Sequence, residues 1–249
     1  MSKWIKKSVK NLADSFGYTV LPNWQVADLA LDLLLKRLLN QYGITMVIDV
    51  GANAGQYRNR IRNSVEFSGL IHSFEPLPHL ATQLTALGKD DSQWHIHNLA
   101  LGNENTTLPL NVMFSEVFSS FRQPDATETK SFVNNNTVVR TEIVPVRRLD
   151  DLASSLEGID DGAILLKIDT QGFDLDVILG AKELISKVSI LQFELALLPI
   201  YKDVPHHLEI LNIVQELGFE ISGYFPISHD EHLRAIELDC IMVRRPTLL

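Results

Sequence analysis

The run Val47-Ile48-Asp49-Val50-Gly51-Ala52-Asn53-Ala54-Gly55-Gln56-Tyr57 constrains this chain more than any other stretch. With Met46 in front, its first half is a short apolar segment ending in an acid, the pattern of a buried parallel strand. Two glycines four positions apart follow, with Asn53 between them, and the chain can then run on as a helix. Glycine lets a backbone turn sharply and approach a ligand where a Cβ would clash. The first turn of the helix would aim free N–H groups back over the strand end. Such an opening either cradles a nucleotide or is an ordinary βα turn that binds nothing.

A dinucleotide fingerprint needs a third glycine for close helix–strand packing. Here Asn53 takes the middle position and no third glycine follows in register, so an NAD enzyme is the remoter reading. Asp49 precedes the turn. A lone carboxylate there repels a pyrophosphate and suits an ammonium group, which favours a ligand with an amino-acid end, and S-adenosylmethionine fits that description.

At 249 residues the chain suits one large α/β domain better than two. Its net charge of −9 argues against a general nucleic-acid binder, so no nucleic-acid partner is expected. The one cysteine, Cys240, excludes an internal disulfide and fits a reducing cytoplasm. No apolar run approaches the length of a membrane span.

Residues 1–43 read as an N-terminal helical extension packed on the domain. Lys3, Lys6, Lys7 and Lys10 are spread among Trp4, Ile5, Val9 and Leu12, a basic amphipathic segment. It would serve either as a packed helix with a solvated lysine face or as a peripheral contact with an anionic membrane or a membrane-bound glycosyltransferase. Residues 25–41 form an apolar helix carrying Leu29, Leu33, Leu34 and Leu38, and the apolar N-terminal helices are candidates to pair two subunits as a homodimer.

Further strands are expected at Leu70–Phe74, Trp94–Asn98, Ile164–Ile168 and Ser189–Phe193, and a final pair at Phe219–Phe225 and Ile236–Val243. Helices are expected at His79–Leu87, Phe173–Ser186 and His206–Leu217. Residues 103–148 break the alternation as a β-rich insertion, which would either cover the site or stand as a mobile loop. Glu75, about twenty residues past the glycine turn, is placed to accept hydrogen bonds from a ribose diol. Ala100 and Leu101 form a small apolar turn suited to an adenine face.

Five segments now stand in order: Val-Ile-Asp-Val-Gly-Ala-Asn-Ala-Gly, Phe-Glu-Pro-Leu-Pro, Ala-Leu-Gly, Leu-Lys-Ile-Asp-Thr-Gln-Gly and Gln-Phe-Glu-Leu. In order and spacing they resemble FkbM-type methyltransferases over roughly residues 44–245. The resemblance implies a class I methyltransferase fold: an α/β, Rossmann-like three-layer sandwich whose mostly parallel seven-stranded sheet has an antiparallel edge pair. It implies S-adenosylmethionine as cofactor and O-methylation of a hydroxyl on a sugar, polysaccharide or glycosylated natural product. By position, Gly51, Asn53 and Gly55 would shape the turn under the methionine moiety and Asp49 would serve the ammonium, directly or through water. Glu75 would hold the ribose, and Ala100 and Leu101 would line the adenine. Relatives often carry Glu where this chain has Gln171.

Methyl transfer to a hydroxyl needs the acceptor oxygen in line with the methyl group and a group to take its proton. Asp169 and Glu194 end neighbouring strands where cofactor and acceptor should meet. They would act as base and orienting acid, or as two oxygen ligands for Mg²⁺. The plainer reading of Asp169 is an N-cap for the next helix, and of Tyr201 a packing aromatic rather than a platform for a sugar ring. The rivals to O-methylation are transfer to nitrogen or a carboxylate, and a non-catalytic cofactor-binding or interaction module.

Overall fold

A strand buried on both faces must be apolar on both, and the two segments that satisfy this best lie side by side at the centre of the molecule. The computed structural model describes residues 26–125, 127 and 132–246, with Val9, Leu12, Ala13, residues 15–18 and Val20 of the leading segment. In chain order, α1 (Val26–Gln41) leads to β1 (Ile44–Val50), α2 (Gln56–Asn63), β2 (Leu70–Phe74), α3 (Pro78–Leu87) and β3 (Trp94–His97). Then come β4 (Ala100–Leu101), β5 (Thr106–Met113), β6 (Val138–Arg147), α4 (Leu149–Leu152), β7 (Ala163–Ile168), α5 (Asp174–Leu179) and β8 (Val188–Ala196). The chain closes with α6 (His207–Glu216), β9 (Phe219–His229) and β10 (Ala235–Arg244).

Seven strands form one sheet in the order β3-β2-β1-β7-β8-β10-β9. The first five run parallel, and β10 inserts antiparallel between β8 and β9. The period-2 alternation of side chains divides the core. Ile48, Val50, Leu166, Ile168, Leu191 and Phe193 pack under α5 and α6, which supply Val177, Ile178, Ile210 and Val214. Val47, Leu165, Ile190 and Ile241 pack on the opposite face under α1 and α2. A second, three-stranded sheet, β4-β6-β5, is built from residues 100–147. Its Leu110, Val112, Val144 and Val146 pack on Leu77 and Leu80 at the start of α3.

Three element expectations need correction. The helix expected over Phe173–Ser186 ends at Leu179, and a separate 3₁₀ turn covers Leu184–Lys187. Gly180 packs so closely on the Gly102 carbonyl that a Cβ would lie 1.9 Å from its oxygen. The Asp150 carboxylate then accepts the Glu183 and Leu184 N–H groups, starting a new turn. In α1 the buried side is Leu31, Leu35, Leu38 and Leu39, while Leu33 is exposed. Leucines surround this helix, so its sequence does not mark a face. The last strand pair is longer than expected, reaching His229 and Arg244. Lys3, Trp4, Ile5, Lys6, Lys7 and Lys10 lie outside the described residues.

Candidate active site

On the sheet face under α1 and α2, the central strands begin apolar and end polar. Val47 is followed two positions on by Asp49, Leu165 by Lys167, and Ile190 by Gln192 and Glu194. The register sets Asp49 beside Lys167 and Lys167 beside Gln192, and the reversed β10 adds Asp239 opposite Glu194. Above this polar row opens a cavity of about 620 Å³, a volume typical of small-molecule sites. Its wall follows the sheet order, from Glu75 past β2, through Gly51 and Asn53 past β1, to Asp169 past β7, then Glu194, Glu237, Asp239 and Phe225. Ala100 and Leu101 close it at one side, Asp28 and Leu31 of α1 at another. Val117, Phe118, Ser119 and Phe121 of the insertion also line it, so the insertion walls the site.

The glycine turn is held by more than its sequence showed. Gly51 has φ +80°, and a Cβ there would lie 1.9 Å from the Asp169 carbonyl oxygen. The two strand ends can touch this closely only without a side chain. The Asn53 N–H donates to Glu75 Oε2 at 2.7 Å, and the Leu77 N–H to Oε1 at 2.9 Å. Burial pushes the Glu75 carboxyl up to about 7, against the pull of these two donors. Gly55 does not line the cavity. It starts α2 with φ +81° and packs against Leu84 and Trp94, so it shapes the helix entry rather than a ligand wall.

Asp49 also departs from expectation. It is fully buried, 3.1 Å from Lys167 Nζ, and accepts the Ser73 hydroxyl at 3.0 Å. It does not line the cavity, so direct contact with a ligand ammonium is corrected: Lys167 already answers its charge. Burial opposes the Lys167 charge, but Asp49, Asp169 and Glu194 raise its pKa above the ordinary value. Lys167 Nζ also lies 3.5 Å from Asp169, whose side chain is 34% exposed and does reach the cavity.

Asp169 is not an N-cap, because α5 begins five residues later, at Asp174, with Phe173 in the capping position. Its carboxylate instead accepts the Gln171 amide N–H at 3.2 Å, and the same nitrogen donates to Glu194 Oε2 at 2.9 Å. Gln171 Oε1 and the Phe118 carbonyl both lie 2.8 Å from the Tyr201 hydroxyl, so Tyr201 is a buried anchor rather than a sugar platform. Gln171 therefore clamps the two carboxylates, which an ionised glutamate at that position could not do. Burial, followed by the charges of Asp169, Glu237 and Asp239, raises the Glu194 pKa well above the ordinary carboxylate range.

The Mg²⁺ expectation finds no support. The Gln171 NH₂ group sits between Asp169 and Glu194, and among the described residues no three His, Cys, Asp or Glu side chains converge on a metal position. Sequence reasoning missed Gln192, Glu237 and Asp239. The Tyr57 hydroxyl donates to Gln192 Oε1 at 2.7 Å, and Gln192 Nε2 to Asp239 at 3.1 Å. The available signal was Ile-Glu-Leu-Asp-Cys at 236–240, two acids alternating with apolar residues on one strand.

The sheet order with its single reversed strand, the glycine turn and the cavity at the strand ends define a class I methyltransferase fold. The family model described as Methyltransferase FkbM domain matches residues 49–221, well over half of the sequence. The chain belongs to that family of methyltransferase domains.

Solved structures similar in shape include a methyltransferase FkbM from Methylobacillus flagellatus, 17% identical with a TM-score of 0.49. That match covers 80% of this chain and 43% of the other, so this chain spans less than half of that relative's length. Fibrillarin from Aeropyrum pernix with natively bound S-adenosyl-L-methionine is 9% identical, covering 83% of this chain and 73% of the other at a TM-score of 0.46. Magnesium protoporphyrin IX methyltransferase from Synechocystis, with the same molecule bound, is 12% identical, covering 96% of each chain at 0.44. No curated protein matches the chain.

Proposed function

We propose that this protein is an S-adenosylmethionine-dependent O-methyltransferase acting on a hydroxyl of a sugar, polysaccharide or glycosylated natural product. The carrying observation is the position of Asp169. In the sheet order it stands between the strand ends that carry Glu75, Gly51 and Asn53 and the strands that carry Glu194, Glu237 and Phe225. The residues fit the cofactor. Each Glu75 oxygen takes one backbone N–H, leaving lone pairs for a ribose diol. Ala100 and Leu101 offer an apolar wall for the adenine, and the acidic row suits a cation.

When bound, the cofactor supplies an electrophilic methyl group on a positively charged sulfur. A sugar hydroxyl loses its proton only far above neutral pH, so its attack requires a base. Asp169, oriented by Gln171 and held near the ammonium of Lys167, would take that proton from the acceptor hydroxyl. Glu194, whose surroundings favour its neutral form, orients the acceptor rather than deprotonating it.

A second reading, transfer to an amine nitrogen, is favoured by the acidic wall of Glu194, Glu237 and Asp239. Methyl-labelled S-adenosylmethionine offered with hydroxyl-only sugars, glycans and amine acceptors distinguishes the two. The proposal expects label on oxygen; label solely on nitrogen would replace it. Asp169→Asn should lower turnover at least about a hundredfold while changing S-adenosylhomocysteine affinity by less than about tenfold. Undiminished turnover by that variant would remove Asp169 from the mechanism.

A further inference from the structure

The leading segment is charged against the rest of the chain. Four of the 22 basic residues and one of the 31 acidic residues fall in the first 25 positions, in a protein of net charge −9. Val9, Leu12, Ala13 and Ser15 are helical. The helix closes at Gly17, whose φ of +78° lets the Tyr18 N–H donate back to the Ala13 carbonyl at 2.9 Å. At 100° per residue, the spacing predicts Trp4, Ile5, Val9, Leu12 and Phe16 along one side and Lys3, Lys6, Lys7 and Lys10 along the other.

A helix packed on its own domain would cover that apolar side. Instead Val9 is 45% exposed, Leu12 63% and Phe16 72%, with Tyr18 beside them at 72%. Exposed apolar and aromatic groups along one side, with lysines expected opposite from the spacing of the sequence, match a helix lying in the plane of a bilayer. The stems of the lysines can run along the apolar boundary while their ammonium groups reach lipid phosphates. No helix among the described residues is long and apolar enough to cross a membrane.

We infer that residues 3–18 dock this protein onto an anionic bilayer surface, with Val9, Leu12 and Phe16 in the headgroup boundary and the lysines on the phosphates. The acidic body is repelled by the same surface, so contact is confined to this segment. α1 begins eight residues after Tyr18, and its Asp28 and Leu31 line the cavity. Docking therefore brings the site close to acceptors held at the membrane.

Co-sedimentation of the full chain with vesicles tests this directly. Vesicles of 30% phosphatidylglycerol in phosphatidylcholine should pellet the protein at low salt, and pure phosphatidylcholine should not. Binding should fall steeply as salt rises. Leu12→Asp with Phe16→Asp, and separately Lys6→Glu with Lys7→Glu and Lys10→Glu, should each reduce partitioning at least tenfold. Because Leu12 and Phe16 are exposed, their variant should unfold at the wild-type temperature. Wild-type protein left in the supernatant with anionic vesicles would overturn the inference, as would equal pelleting by neutral vesicles. A dimer in solution that Leu12→Asp dissociates would also overturn it, assigning the apolar side to a second copy.

Discussion

Glu75 is held between opposing influences. Burial disfavours its charge, while the N–H groups of Asn53 and Leu77 favour it, and the balance leaves it titrating at about 7. A ribose diol donates to the ionised carboxylate, so ligand affinity should rise as pH passes upward through 7. Between pH 6 and pH 8 the ionised fraction changes about tenfold for such a group. Calorimetry with S-adenosylhomocysteine should show a comparable gain, and Glu75→Gln should flatten it; equal affinity at both pH values in the wild type would contradict the role. At this scale the sequence was informative where a residue follows a strand, as with Asp169 and Glu75, while Glu194, expected at a strand end, lies within β8. It did not reveal that Asp49 is paired with Lys167, because that ion pair joins residues 118 positions apart across two strands. Gln171 looked like a departure from its relatives. Only the folded turn shows its amide reaching two carboxylates.

At the scale of elements, β1 and β7 are joined by that ion pair. Removing one partner strands the other in the core, and breaking such a pair typically costs about 3–5 kcal/mol. Lys167→Ala should therefore destabilise the fold by about that much in urea titration, and adding Asp49→Asn should restore much of the loss. A variant as stable as wild type would show Asp49 to be solvated. The parallel strands were legible because each is an apolar run with a turn signal after it. β10 hid its contribution. It runs antiparallel, so its N-terminal half meets the carboxyl ends of the parallel strands, and Glu237 and Asp239 enter the site from the start of a strand. The break after α5 was equally hidden, since it depends on Gly180 meeting Gly102 and on the Asp150 carboxylate, both distant in sequence.

Across the whole molecule, several acids in and around the polar row are held above the ordinary carboxylate range by burial. Burial pushes Glu75, Asp174 and Glu237 up to about 7, and raises Glu194 and Asp239 as well. The native state therefore binds more protons than the unfolded chain between the ordinary carboxylate range and about pH 7. Stability from these groups is fully present below that range and is lost as pH rises through 7. Without ligand, the melting temperature at pH 6 should exceed that at pH 8 by roughly 5 °C; a higher value at pH 8 would show these groups to be ionised in the native state. Of these, Glu75, Glu194, Glu237 and Asp239 line the cavity, where a cationic ligand would favour their charged forms. The most direct test of the account is calorimetric titration of the purified protein with S-adenosylmethionine, S-adenosylhomocysteine and NAD. The account predicts binding of both adenosyl sulfur compounds, weakened by Glu75→Ala, and none of NAD. Failure of both to bind a folded sample would contradict it.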